Sequence, residues 1–205
     1  ESTDKARLKL NGSIQLSGDY QTALAYEWVV IDPEFKGLTG QGSVKGNSTK
    51  LRVEQQVVKP VRSTNSLTIS DLFDKMNWHL DAQVAQVNLA DYLNDQTGQF
   101  NDVEIVAHGD LKQAQIKFKT SYKQEELPTV IWSGQLASRD FDSWTVDSAL
   151  TDKNGLELSI EGDVKNAATS PTMALTGQWQ QLVWPLSGLP NVMTSRAGKF
   201  NIKGR

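Results

Sequence analysis

The sequence predicts an all-β chain: one long antiparallel sheet that curls on itself, with minimal helix. Three observations predict it. Apolar residues recur at every second position, first in Leu8, Leu10, Ile14 and Leu16 with Gly12 and Gly18 on the same parity, while Lys9, Asn11, Ser13, Gln15 and Ser17 fill the other; side chains alternate across a strand, so one face is oily and the other wet. Such runs return at the roughly 8–12-residue spacing of an all-β fold, with turn residues between them. No helical segment is long enough for the crossover that parallel strands need, and the repeat is too irregular in length for a short-period solenoid.

Composition permits a packed fold and narrows the chemistry. Hydrophobic residues make up 38% of the 205, and the 15 Gly bring the sum close to the roughly 45–50% of globular chains. Net charge is −3 with both signs interspersed, so no basic stripe argues for nucleic acid. The absence of Cys excludes thiol catalysis, thiolate metal sites and a disulfide framework. No run approaches the roughly 18 apolar residues of a membrane span, and no signal-peptide pattern opens the chain. It begins at Glu1 and stops just after Phe200-Asn-Ile-Lys-Gly204, which reads as a piece excised from something longer.

Element by element, Leu24, Tyr26, Trp28 and Val30 continue the even parity, and Asp32-Pro33 stops that strand because Pro has no N–H for the ladder. Leu38 to Gly46 repeats the pattern with extra Gly. Leu51, Val53 and Val57 form the next strand, closed by Lys59-Pro60, and Leu67 and Ile69 the one after. Ser70 to Lys75 is expected as one helical turn. Trp78, Leu80, Ala82 and Val84 alternate, then the parity flips to Val87 and Leu89, which predicts a bulge near Ala85-Gln86. Leu89 to Asn94 has helical spacing, enough for a corner turn. Val103 to Leu111 and Ala114 to Tyr122 are strands, and Glu125 to Pro128 a loop. Val130 to Leu136 and Trp144 to Leu150 follow. Asp152-Lys-Asn154-Gly155 is the strongest hairpin signal, Asn-Gly being suited to the positive φ angles of a primed turn. Leu156 to Val164 returns from it, Asn166 to Pro171 is a loop, Met173 to Trp179 leads into Leu182 to Leu186, and Phe200 to Gly204 closes the chain.

Catalytic readings fare poorly. His79 and His108 both fall on the wet parity of strands, and no nucleophile elbow, phosphate-cradling Gly loop or H-E-x-x-H is present. Acid pairs such as Asp91 with Asp95, or Asp140 with Asp142, could be read as acid and base, but turn or rim acids account for them, as for Asp110, Asp152 and Asp163. The expectation is a protein with no catalytic site, no metal and no cofactor.

Gly40, Gly42, Gly109, Gly134, Gly162, Gly177 and Gly204 sit on the apolar parity, where they predict either creases in the sheet or simple bulges. Trp28, Trp78, Trp132, Trp144, Trp179 and Trp184 occupy it too. Pattern alone leaves two readings of that face open, a sandwich core or an open groove for a lipid chain. The groove has an energetic reason to exist: at ~0.8 kcal/mol per methylene, a chain of ~16 carbons costs on the order of 10 kcal/mol to expose to water.

Leu175-Thr-Gly-Gln-Trp179-Gln-Gln-Leu182-Val-Trp184-Pro185-Leu186 and Ser195-Arg-Ala-Gly198-Lys-Phe200-Asn-Ile202-Lys-Gly204 resemble the TamB (translocation and assembly module subunit) family of the AsmA-like, bridge-like lipid-transfer group. Leu16-Ser-Gly18-Asp-Tyr20 with Ala25-Tyr-Glu-Trp28, and Phe35-Lys-Gly37-Leu38-Thr-Gly40-Gln-Gly42-Ser-Val44-Lys-Gly46, repeat the pairing more loosely. Val87-Asn-Leu89-Ala-Asp-Tyr92-Leu93 is similar to that family's connecting turn, departing from it at Tyr92 and Asn94, where Trp and Pro are usual; residues 120–170 match by pattern only. The resemblance implies a U-shaped hydrophobic trough (β-taco) and a periplasmic protein anchored in the bacterial inner membrane. It further implies passive passage of phospholipid between the two membranes and partnership with the outer-membrane barrel TamA through regions outside this fragment.

The expectation is then that residues 1–205 form one continuous β-taco segment and that the apolar parity lines a lipid-binding groove. Its bulky members are Leu16, Tyr26, Trp28, Trp78, Leu80, Ile105, Ile116, Phe118, Trp132, Leu136, Trp144, Val146, Leu158, Ile160, Leu175, Trp179, Phe200 and Ile202. A rival reading is a scaffold for outer-membrane protein assembly that pairs its sheet edges with a client strand. A carbohydrate-binding sandwich would need Trp on the wet parity, and none is there.

Overall fold

The structure is a computed structural model that describes residues 6–31, 37–59, 61–91, 97–124, 128–167, 169–184 and 193–204. The chain is all-β. Thirteen strands stand in sheet order identical to sequence order, so β1 and β13 are the two edges. They are β1 (Ala6–Ile14), β2 (Thr22–Val30), β3 (Thr39–Gly46), β4 (Lys50–Lys59), β5 (Ser63–Ser70), β6 (Asn77–Asn88), β7 (Gln99–Gly109), β8 (Ala114–Lys123), β9 (Val130–Ser138), β10 (Trp144–Asp152), β11 (Glu157–Lys165), β12 (Thr172–Trp184) and β13 (Met193–Gly204). A 3-10 turn, Leu89–Asp91, starts where helical spacing is expected. Among the described residues no helix is long and apolar enough to cross a membrane.

The chain divides into two compact units, Glu1–Ala85 with Val106–Leu111, and Gln86–Ile105 with Lys112–Arg205. The division falls where the sequence parity flips. Val84 and Val87 are half-buried, whereas Ala85 and Gln86 are both exposed, so β6 changes which parity it buries at that point, as expected.

In the first unit the antiparallel register aligns apolar positions into rows across the strands. One row runs Gly12, Leu24, Val44, Val53, Leu67 and Leu80; another begins Ile14, Thr22, Gly46 and ends Leu51, Ile69, Trp78. In the second unit the rows are Ile116, Leu136, Val146, Gly162, Leu175, Ile202 and Phe118, Gly134, Ser148, Ile160, Gly177, Phe200. A third reads Thr120, Trp132, Leu150, Leu158, Trp179, Gly198. Neighbouring strands are about 4.8 Å apart, so a six-strand row spans about 24 Å.

Fully buried apolar side chains are few and small: Ala107, Ala114, Val130 and Leu156 form the core of the described residues, and no large side chain falls below 2% exposure. The thirteen strands are held by ladder hydrogen bonds and same-face contacts between neighbours rather than by a thick interior.

Three local expectations are corrected. The first strand does not run to Gly18: it ends at Ile14, because the chain reverses through Gly18 (φ +70) and Tyr20 (φ +56) with Gln15 N donating to Gln21 O. Leu16 therefore lies on a connection, not a strand. Ser70 to Lys75 is a turn rather than a helix: Asp71 takes a left-handed backbone (φ +53), which a right-handed helix cannot contain, and Asp71 N and Leu72 N donate to Thr49 O and Ser48 O of the preceding hairpin. In the 152–156 loop only Gly155 has positive φ (+95), and Asn154 does not. The Asp152 carboxylate accepts from Asn154 N (2.8 Å) and Leu156 N (2.9 Å), which closes a longer hairpin without a primed turn. The stops at Asp32-Pro33 and Pro60, the turn residues Tyr92 to Asp95, the loop residues Glu125 to Leu127 and the Pro185–Leu186 segment lie outside the described residues.

Candidate functional site: the apolar face

Every strand offers two faces, and in β2, β4 and most of β6 burial separates them. In β2, Thr22, Leu24, Tyr26 and Trp28 are half-buried, while Ala23, Ala25 and Glu27 are exposed; β4 and β6 follow the same rule. Of the residues expected to line a groove, Tyr26, Trp28, Trp78, Leu80, Ile105, Ile116, Phe118, Leu136, Trp144, Val146, Leu158, Ile160, Leu175, Trp179 and Phe200 are half-buried. Trp132 (38%) and Ile202 (48%) are more open, and Leu16, off the strand, is 82% exposed. None is enclosed. Trp184 lies on β12, with its side chain outside what the structure describes.

The glycines explain how the rings lie. Trp28 faces Gly40 and Tyr26 faces Gly42 across β2 and β3. A Cβ at Gly40 would come within 2.6 Å of the Trp28 indole, and one at Gly42 within 2.5 Å of the Tyr26 hydroxyl. Each ring thus lies across the neighbouring strand in the space the missing side chain leaves, an aromatic cover for an in-strand glycine. The same holds in the second unit for Phe118 on Gly134, Phe200 on Gly177 and Trp179 on Gly198. At Gly40 the β3–β4 register also shifts, a bulge of the kind expected. These glycines lower the aromatic side chains onto the sheet.

Three indole N–H groups are satisfied at the same time: Trp78 donates to Asp110 O (3.0 Å), Trp144 to Phe141 O (3.1 Å) and Trp179 to the Ser195 hydroxyl (3.0 Å). Phe118 and Trp132 meet edge-on at 5.1 Å, and Trp179 stacks near Phe200 at 6.3 Å. Around these three residues the face presents hydrocarbon and ring, with the indole N–H turned to backbone or neighbouring strand.

Two features escape the alternation pattern. The first is on the wet face of the first unit, where an open groove of about 700 Å³ lies between two rows of polar-parity residues. Lys9, Glu27, Gln41 and Gln56 flank one side, Asn11, Ser43, Glu54 and Asp81 the other. Lys9 pairs with Glu27 at 3.7 Å, and the Gln41 amide donates to Gln56 at 3.2 Å. Solvated side chains leave no periodic signal of such a groove. The second is on the apolar face: Gln55 and Asn65 are half-buried on the apolar parity, directly paired across β4 and β5. Their trace in the sequence is a missing beat, Leu51, Val53, then Gln55 before Val57. Tyr26 sits on the same row, and burial pushes its phenol above the ordinary value.

The acids read as structure. Asp140 accepts from Ser143 N (2.7 Å) and Asp142 N (3.0 Å), and these backbone bonds hold its carboxyl below the usual range. Asp95 is outside the described residues. His79 pairs with Asp81 at 3.1 Å and stacks near His108 at 6.5 Å. Among the described residues no cluster of His, Asp and Glu is arranged to hold a metal ion.

No curated protein and no solved structure matches the chain. The family model described as TamB, N-terminal domain, matches residues 2–140; the Trp179 to Leu186 run, the most distinctive part of the resemblance, lies beyond that match. Since the matched span takes in most of the 205 residues, and the one-faced strands agree with it, the chain belongs to the TamB family.

Proposed function

We propose that the apolar face is a section of a periplasm-spanning conduit that carries phospholipid acyl chains between the inner and outer membranes. The family is a translocation and assembly module of the bacterial envelope, associated with TamA, and not a family of enzymes. One observation carries the finer reading: apolar side chains align into rows across six strands, yet among the described residues no large side chain is fully enclosed. A row of about 24 Å exceeds the roughly 15 Å that one acyl chain fills in half a bilayer core. Each methylene laid on such a row recovers ~0.8 kcal/mol. The groove on the wet face, rimmed by carboxylates and amides, offers methylenes nothing comparable.

The test places a photo-crosslinking residue at Ile116 or Ile160 and, separately, at Lys117 or Glu161 on the opposite parity. Lipid adducts are expected at the first pair and not the second; equal adducts from both would overturn the conduit. A second reading, a scaffold that adds a client strand to its sheet edge, is favoured by β1, all nine residues of which are exposed, Leu8 and Leu10 to 63% and 59%. Protein adducts at Leu10 without lipid adducts at Ile116 would decide for it.

A further inference from the structure

On the apolar face of the first unit one row departs from its neighbours. It crosses β1 to β6 as Leu10, Tyr26, Gly42, Gln55, Asn65 and Ala82. The flanking rows hold Leu24, Val44, Val53 and Leu67 on one side and Trp28 and Val57 on the other. Gln55 is half-buried between exposed Glu54 and Gln56, and Asn65, half-buried like Ser66, is its direct cross-strand partner, which sets both amides on the apolar parity. As direct antiparallel partners their Cβ atoms stand about 4.5–5.5 Å apart. Because Gly42 carries no side chain, the Tyr26 ring reaches over it until its hydroxyl is 3.5 Å from Glu54 O on β4. Ser63 adds a hydroxyl 3.5 Å from Asn65 Nδ2. Among the described residues the Gln55 amide has no hydrogen-bond partner within the protein.

Hydrocarbon laid across this row would strip water from two amides and two hydroxyls and return no hydrogen bond, which is unfavourable for each. A ligand segment that brings acceptors to the same level reverses the sign. Charge selects which segment. No Lys or Arg stands in this row or in the apolar rows beside it, so a phosphate would find no opposite charge, whereas ester carbonyls are neutral acceptors suited to amide donors.

We infer that this row is a station for the ester-linked glycerol segment of a diacyl lipid, with Gln55 and Asn65 donating to the ester carbonyls and the acyl chains lying on the apolar rows to either side. The inference rests on the conduit reading. It adds that a lipid is held in register at this row.

The experiment uses the full-length protein loaded from vesicles of diester phosphatidylglycerol or of its diether analogue with the same headgroup and chain length. The wild type should retain the diester about tenfold better, the order expected of one or two net hydrogen bonds. Gln55→Met with Asn65→Leu should erase that preference by lowering diester retention, while diether retention rises or holds because no amide is left to desolvate. Equal retention of the two lipids by the wild type overturns the station and leaves the conduit standing, as does a preference that survives the double substitution. Retention of neither lipid overturns both.

Discussion

The two units treat polar atoms on their apolar faces in opposite ways. In the second, the polar residues in those rows are Thr120 and Ser148, both buried, and the Thr120 hydroxyl donates to Asn101 O at 3.0 Å. In the first they include Thr22, Ser63, Gln55 and Asn65, all half-buried. The rings differ as well. Tyr26 and Trp28 both come from β2 and lie over β3, a one-way arrangement, whereas Trp179 covers Gly198 on β13 and Phe200 returns to cover Gly177 on β12. A small polar group sealed in the sheet is silent to a passing hydrocarbon; a half-exposed amide is not. The second unit therefore presents a uniform surface and the first a marked one.

The largest expected effect tests whether the first unit depends on its glycine. A side chain at Gly42 would meet not only the Tyr26 ring but the Glu54 backbone carbonyl, which cannot swing aside. Gly42→Val should destabilise the protein by about 1–3 kcal/mol through overpacking, seen as a lower urea midpoint with little change in slope. An unchanged midpoint would show that the ring does not need the glycine, and the contrast between the units would lose its structural half.

Much of this was legible from alternation, since a one-residue slip would turn every oily side chain to water. That is why the strand positions, the flip at Ala85-Gln86 and the face of Trp28 or Ile160 follow from spacing. Leu16 misleads because parity continues through a turn that Gly18 makes by its backbone, not by its side chain. The partnership of Gly40 with Trp28 depends on cross-strand register, which no local window contains. Gln55 was visible as a gap in a pattern, but its pairing with Asn65 exists only once β4 and β5 are aligned.

A smaller effect is expected from the reciprocal rings of the second unit. Trp179→Ala would remove the cover from Gly198, the stacking on Phe200 and the bond to Ser195. Truncating a fully buried Trp costs about 3–5 kcal/mol; Trp179 is half-buried, so about 1–2 kcal/mol is expected, read from the denaturation midpoint. A loss well above that range would mean the ring is part of a sealed interior, against the open face on which the conduit depends.

The smallest effect concerns charge. The first unit arranges its acids as ion pairs on the wet face, Lys9 with Glu27 and Arg52 with Glu54 at 3.0 Å. The second uses Asp140 to tie the turn into β10 through Ser143 N and Asp142 N. Those bonds favour the ionised form and lower its pKa. A group whose folded pKa lies below its unfolded one stabilises above the ordinary carboxylate range, and that contribution is lost as pH falls through the folded value. Acidification should therefore shift the Asp142 and Ser143 amide resonances with a midpoint below that of Asp in an unstructured peptide. Asp140→Asn keeps an oxygen acceptor for the turn and should abolish the titration without opening it. A midpoint at or above the ordinary value would mean the carboxylate does not hold the turn, leaving the β9–β10 connection to Ser138, whose hydroxyl accepts from Phe141 N at 2.8 Å.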